Sequence, residues 1–261
     1  MEITQWNKDT IPTFENNFHE DIHYKRSLDK NYLESQIHNT NLKYFNYIVK
    51  NYKIYGKVLD LAGGSGYLTA ALSKLDTVEE VYLLEYGENC LKYLVPAVLD
   101  HTKANKKKIK LINGSFNNIK LENYFDFVFI FGALHHSSKL RLTTDNINKC
   151  LKMNGVLFAR EPVSHYLTPT QFYINDIPRR TDKKTGNIRN DNFYRLGEYC
   201  TAFYQSKLEP INMVQLDGKS PLLNINIKKC KGIYDCIRTF VFTCKKTTNI
   251  KDIDECYWER W

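Results

Sequence analysis

The run Val58-Leu59-Asp60-Leu61-Ala62-Gly63-Gly64-Ser65-Gly66-Tyr67-Leu68-Thr69 constrains this chain more than any other segment, because an apolar strand passes directly into a glycine-rich turn that opens a helix. Glycine tolerates positive φ and carries no Cβ, so Gly64 and Gly66 let main-chain amides approach a bound group at a helix N-terminus. Such a turn is suited to a nucleoside. A glycine pair between strand and helix can also be simple packing, so the turn needs support from elsewhere in the chain.

That support comes at the right distance. After a helical stretch over about 67–75, Glu80-Val81-Tyr82-Leu83-Leu84-Glu85 reads as a second buried strand ending in a carboxylate, about 20 residues beyond the turn. A carboxylate in that position can accept both hydroxyls of a ribose. Turn and acid together describe either a dinucleotide-binding unit or its topological cousin, the site for S-adenosylmethionine.

Further strands follow in order. Lys110-Leu111-Ile112-Asn113-Gly114-Ser115-Phe116 reads as a third strand with its exit loop. The almost wholly apolar Phe125-Asp126-Phe127-Val128-Phe129-Ile130-Phe131 reads as a fourth, covered on both faces. It leads into Gly132-Ala133-Leu134-His135-His136-Ser137, then a helix over about 140–151 and a turn at Asn154-Gly155. Val156-Leu157-Phe158-Ala159-Arg160-Glu161-Pro162 supplies a fifth strand, and the segments 208–216 and 237–244 a closing pair. Alternating strands and helices predict an α/β fold around a parallel-dominated sheet.

Over roughly residues 55–245 these residues resemble the class I S-adenosylmethionine-dependent methyltransferases. The resemblance implies a Rossmann-like seven-stranded sheet, mostly parallel with a closing antiparallel strand, helices on both faces, and S-adenosyl-L-methionine as cofactor. It makes Asp60 the acid that anchors the turn, packs Ala62, Gly63, Gly64 and Gly66 beneath the methionine end, and puts Glu85 on the ribose with Tyr86 beside it. Ser115 and Phe116 fall in the adenine-contacting loop. Many members carry Asp where this chain has Ser115, so Ser115 is expected to accept more weakly and Phe116 to act as an apolar wall. Gly132 and the Leu134-His135-His136 turn are similar to the fourth motif, where cofactor and acceptor meet.

Composition narrows the setting. The 261 residues suffice for one core with additions: an N-terminal cap over 1–50, the methyltransferase-like domain over 51–245 with an insert at 161–196, and a tail over 246–261. No apolar run approaches the roughly 18 residues of a membrane span, and the start lacks the pattern of a signal peptide, so a cytoplasmic protein is expected. The seven cysteines are scattered without a C-x-x-C pair, which suits reduced thiols; Cys230, Cys236 and Cys244 match no zinc-ligand spacing. Residues 1–29, with Trp6, Phe14, Phe18, His19, His23 and Tyr24, are too aromatic for a disordered tail and read as a cover over the pocket. Oligomeric state is not legible.

The insert is long for a connection and holds the candidate acceptor residues Tyr173, Arg179, Arg180 and Arg195 beside Lys183, Lys184 and Arg189. With the net charge of +8, these cations suit an anionic small-molecule acceptor, although a basic surface loop needs no ligand at all. Methyl transfer from a sulfonium needs alignment and, for an alcohol, removal of a proton. His135 and His136 are the first candidates for the base, His165 and Glu161 the second. The site reads as metal-free, with convergence of His136, Glu161, His165 and Asp176 on a divalent ion as the alternative.

The reading is O-methylation of a phosphorylated or nucleotide-linked sugar or similar precursor, by loose likeness to capsule and surface-polysaccharide methyltransferases. The alternatives are an RNA or other nucleic-acid methyltransferase, a non-catalytic cofactor-binding protein of the same fold, and, from the glycine turn alone, an NAD-linked oxidoreductase. Against nucleic acid stands the absence of the Asn-Pro-Pro-Tyr or Asp-Pro-Pro-Tyr signature that holds a flipped base.

Overall fold

The computed structural model describes residues 1–6, 20–37, 40–181 and 191–248. Strands β1 (Ile3–Gln5), β2 (Gly56–Leu61), β3 (Val78–Glu85), β4 (Ile109–Asn113), β5 (Phe125–Phe131), β6 (Leu151–Ser164), β7 (Leu208–Gln215) and β8 (Ile237–Lys246) form one sheet in the order β1-β4-β3-β2-β5-β6-β8-β7. The strands from β1 to β6 pair in parallel, while β8 runs antiparallel to both β6 and β7.

Alternation along each strand divides the core into two layers. Leu59, Leu84, Ile130 and Leu157 face one side, where helices α6 (Leu140–Cys150) and α8 (Leu196–Gln205) supply Ile147, Tyr199 and Phe203; α7 (Thr170–Arg180) lies between them in the chain, after β6. Val58, Leu83, Phe129 and Phe158 face the other, beneath α2 (Lys30–Ile37), α3 (Thr40–Asn51), α4 (Tyr67–Ser73) and α5 (Val95–His101). Helix α1 (Glu20–Leu28) lies outside this layer, with Tyr24 edge-on to Tyr93 at 5.2 Å. Because every central strand is covered on both faces, apolar runs replace polar alternation, as in Phe125–Phe131.

Two features depart from the sequence expectation. An eighth strand, β1, joins the edge at β4 and brings the buried Trp6 against Gly114, where the Trp6 amide donates to the Asn113 carbonyl at 2.7 Å. The Asn154-Gly155 turn is instead an irregularity inside β6: Asn154 takes φ +63°, and the register against β5 slips between Phe125 and Phe127. Of the aromatic N-terminal arm read as a cover, Trp6 packs on Gly114 and Tyr24 on Tyr93, whereas Phe14, Phe18 and His19 lie outside the described residues. The described cysteines form no disulfide, and among the described residues no helix is long and apolar enough to cross a membrane.

The closing strand also secures the end of α6. The buried Lys246 Nζ donates to Asn123 Oδ1 (2.9 Å), Asn148 O (2.8 Å) and Leu151 O (2.7 Å), supplying partners for carbonyls where the helix ends. Lys246→Met keeps the apolar stem and removes the donors. It is expected to cost about 1–3 kcal/mol in urea unfolding; a cost near zero would show that water replaces the ammonium.

Candidate active site

The strand order reverses at β2, which has β3 on one side and β5 on the other, so a crevice opens at the carboxyl ends of these strands. Asp60, near the end of β2, is buried and accepts from the Thr69 hydroxyl at 2.6 Å, which ties the strand to the first turn of α4. A Cβ on Gly63 would stand 2.9 Å from both Asp60 Oδ2 and Leu83 Cγ, so only glycine fits there. Gly66, at the start of α4, has φ +84°, a conformation costly for other residues. Asp60, Leu42, Ala62, Tyr67, Leu68 and Phe131 wall a small cleft beside this turn.

Glu85 ties the turn to the exit of β3. Its Oε2 accepts from the Gly64 amide and its Oε1 from the Gly87 amide, both at 3.0 Å. A carboxylate has about four lone-pair directions, so a diol can still be received after these two bonds. Asn113, not singled out from the sequence, is buried and donates to the Glu85 and Tyr86 carbonyls at 3.1 and 2.8 Å. Its only sequence signal is an amide side chain ending an apolar strand. Ser115 turns back on its own loop, where its hydroxyl accepts from the Asn117 amide at 3.1 Å, and Phe116 packs half-buried against the core.

The fourth-motif turn is built around Glu161, which is fully buried. Glu161 Oε1 accepts from the amides of Ala133 (3.0 Å) and Leu134 (2.9 Å), and Oε2 from the amide of His135 (3.2 Å) and its ring Nδ1 (2.7 Å). A carboxylate so engaged is a positioning group, not a free base, which corrects its place among the base candidates. His135 is thereby oriented with its other nitrogen outward. That Nε2 lies 3.9 Å from Asp191 Oδ1, and His136 Nδ1 lies 3.0 Å from the same oxygen. The segment carrying Asp191 is stitched to the turn: the Asn192 amide donates to the His135 carbonyl (2.9 Å), and Asn192 Nδ2 and the Tyr194 hydroxyl donate to the Ser137 carbonyl (3.1 and 2.6 Å). Nothing in the sequence alone pairs Asp191 with a turn 55 residues earlier.

The remaining expectations fare differently. His165 is buried, accepts through Nδ1 from the Leu167 amide at 3.1 Å and packs with its ring tilted against Tyr166; burial and Arg238 hold its pKa below the ordinary value. The group His136, Glu161, His165 and Asp176 is not gathered: among the described residues the cluster with metal-donor geometry is His135, His136 and Asp191. The Tyr173 hydroxyl donates to Ser164 Oγ (3.2 Å), Arg179 lies over the Tyr234 ring (4.8 Å), and Arg195 opens α8, its amide donating to Glu198 (2.7 Å). The side chain of Arg180, with Lys183, Lys184 and Arg189, lies outside what is described.

A cation absent from the expectations lies on the strand beside the cleft residue Phe131. Arg160, on β6 beside Phe131, packs over Tyr44 at 5.1 Å, and its carbonyl accepts from Gly132 at 2.7 Å. Gly132 has φ +69°, and a Cβ there would stand 3.1 Å from Arg160 Nη1. The Arg160 Nε is buried without a hydrogen-bond partner.

Residues 59–159, from β2 into β6, match the model of a methyltransferase domain. Over this stretch the chain is similar to methyltransferase domains, and it shares the fold of the class I, S-adenosylmethionine-dependent methyltransferases. Its strand order, with β1 added at the edge, is that fold. Among solved structures it is similar to geranyl diphosphate C-methyltransferase from Streptomyces coelicolor A3(2), at TM-score 0.64 and 10% identity over 85% of this chain and 88% of that one. The YcgJ protein of Bacillus subtilis matches at TM-score 0.60 and 15% identity, over 78% and 98% of the two chains. The [4+2]-cyclase SpnF matches at 0.59 and 11%, over 79% and 81%. No curated protein matches the sequence significantly. These identities establish shared fold; chemistry is argued from the site.

The methyltransferase site carries a pH signature. Burial pushes the Asp60 carboxyl up to about 7, with Thr69 hydrogen bonds opposing and Glu85 adding repulsion. Because the folded pKa is raised, this group's contribution to stability is present below the ordinary carboxylate range and is lost as pH rises to about 7. The cationic sulfonium and ammonium of S-adenosylmethionine, held beside Asp60, would favour the ionised acid. Cofactor affinity measured by calorimetry is therefore expected to rise between pH 6 and 8, and Asp60→Asn to bind more weakly without that rise. An unchanged slope in the variant would assign it to another group.

Proposed function

We propose that the methyltransferase transfers the methyl group of S-adenosylmethionine to an oxygen of a small anionic acceptor, of the phosphorylated or nucleotide-linked sugar class. The observation that carries the anionic acceptor is Arg160: a guanidinium against the Gly132 turn and over the Tyr44 ring, on the strand beside the cleft residue Phe131, with a buried Nε lacking a partner. An unpartnered buried donor is costly, and a phosphate or carboxylate oxygen relieves that cost. The fold neighbour from Streptomyces coelicolor was crystallised with geranyl diphosphate, itself a small anion, which supports this acceptor class on such a scaffold. The insert cations Arg179 and Arg195 are exposed, and the acceptor-binding reading passes from them to Arg160.

In this reading the glycine turn, Asp60 and Glu85 hold the cofactor with its methyl toward the fourth-motif turn. The cluster of His135, His136 and Asp191 faces the acceptor oxygen. Its task is to lower the cost of the oxygen's ionisation, after which displacement at the methyl carbon is a matter of alignment. Glu161 fixes the cluster through His135.

The test is a screen of sugar nucleotides and phosphorylated small molecules with labelled methyl donor. Labelling of a phosphorylated acceptor is expected; labelling of RNA alone, or binding of NAD in place of the methyl donor, would sink the proposal. Arg160→Met should raise the acceptor KM at least about tenfold, the weight of a lost charge-assisted hydrogen bond. Should it weaken cofactor binding instead, Arg160 serves the methionine carboxylate. His136→Ala should leave S-adenosylhomocysteine affinity within about twofold and lower turnover about 100-fold.

A further inference from the structure

The polar cluster beside the fourth-motif turn has features that proton transfer alone leaves unexplained. We propose that His135 Nε2, His136 Nδ1 and an Asp191 carboxylate oxygen form a binding site for one divalent first-row transition-metal ion, zinc-like in preference, to which the acceptor oxygen coordinates. The proposal deepens the reading of this site as the place where the acceptor oxygen is activated, and rests on that reading for its catalytic role.

The first support is the tautomer of His135. Glu161 Oε2 lies 2.7 Å from His135 Nδ1 and the same carboxylate accepts three backbone amides, so it is an ionised acceptor and Nδ1 carries the proton. The lone pair of His135 is then on Nε2. That lone pair faces Asp191 Oδ1 at 3.9 Å, an acceptor against an acceptor, an arrangement that a cation between them turns from repulsive to attractive.

The second is the outer support. A metal-binding histidine characteristically donates its other ring N–H to a carboxylate, which fixes ring orientation and raises ligand basicity. Glu161 does this for His135 from a fully buried position, and is itself locked by the amides of Ala133, Leu134 and His135. The opposite wall is equally fixed, since Asn192 and Tyr194 bind the 135–137 backbone on either side of Asp191's approach.

The third is spacing. Ligand atoms about 2.0–2.1 Å from a tetrahedral ion stand about 3.3 Å apart. The His136–Asp191 and His135–Asp191 separations of 3.0 and 3.9 Å bracket that value, and the three donor atoms lie within 4.8 Å of one another. Closure onto an ion asks only for small side-chain rotations, because the rings already lie with centroids 4.1 Å apart. Two imidazoles and one carboxylate favour zinc, iron(II), cobalt or nickel over magnesium and calcium, which prefer oxygen. Three protein ligands leave a position open for the acceptor, and the His136 side chain, 36% exposed, marks the open side.

The chemistry balances without a further reagent. An acceptor hydroxyl coordinating the ion loses its proton to solvent at neutral pH, as metal-bound water does. The resulting oxyanion attacks the methyl carbon, the carbon–sulfur bond breaks, and its electron pair stays on sulfur. A methyl ether and neutral S-adenosylhomocysteine result, with the ion and ligands unchanged.

The test uses the full chain, dialysed against chelator and titrated with Co(II) while visible absorption is recorded, with S-adenosylhomocysteine calorimetry on every sample. The expected result is one Co(II) per chain, with ligand-field bands of a nitrogen–oxygen site. Asp191→Asn and His136→Gln should each weaken Co(II) about 100-fold or more, beyond the outer-shell effect of about 10–100-fold expected of Glu161→Gln. Absence of Co(II) binding, equal affinity in the Asp191 and His136 variants, or bands of cysteine thiolate overturns the proposal. Loss of Co(II) binding with S-adenosylhomocysteine binding intact removes the metal and leaves the methyltransferase reading standing. Failure of S-adenosylhomocysteine to bind while Co(II) binds removes that reading and keeps the metal site.

Discussion

The carboxylate of Glu161 is the contact on which the reaction end of this molecule depends. It is fully buried on β6, yet it joins β6 to the turn after β5 through the amides of Ala133, Leu134 and His135 and through the His135 ring. A buried charge persists only when its lone pairs are occupied, and here each oxygen accepts two bonds. The backbone of the turn is thereby a ligand of one side chain. Removing the carboxylate would leave three amides without partners and release a histidine, so binding geometry and local folding are one property at this place.

A second carboxylate does the same at the cofactor end. Glu85 holds Gly64 and Gly87 much as Glu161 holds the later turn, and Asn113 fixes the carbonyls behind it. The two ends of the crevice are thus prepared by backbone amides gathered on buried acids, each at the carboxyl end of a parallel strand. Preorganisation of this kind spares the ordering cost at the moment of binding. Asp60 differs: its partner is a helix hydroxyl, not a turn amide, and burial leaves it close to neutrality.

Much of this was readable from residue order. Apolar runs with glycine punctuation located the central strands, because strands buried on both faces cannot hide their composition. The glycine turn, Asp60 and Glu85 were legible since their spacing is local and the backbone demands particular residues. What escaped was non-local. Asp191 reaches the His135-His136 turn across an intervening strand and two helices, and Arg160 reads as an ordinary strand residue until Tyr44 and Gly132 are placed around it. The loop cations drew attention through charge alone, yet Arg179 packs on Tyr234 and Arg195 opens a helix. The short β1 lacks the length and alternation that would distinguish it from a tail, since its pattern is set by its partner β4.

That short strand has a consequence for the order in which the molecule is completed. Ile3, Thr4 and Gln5 pair with Leu111, Ile112 and Asn113, roughly a hundred residues later in the chain, so this short strand has no partner until β4 has been made. Trp6 docks on Gly114 only after that pairing, next to the loop in which the adenine is expected to lie. The edge of the sheet beside the Gly114 loop is therefore closed by residues that lie far ahead, in the chain, of the strand they pair with.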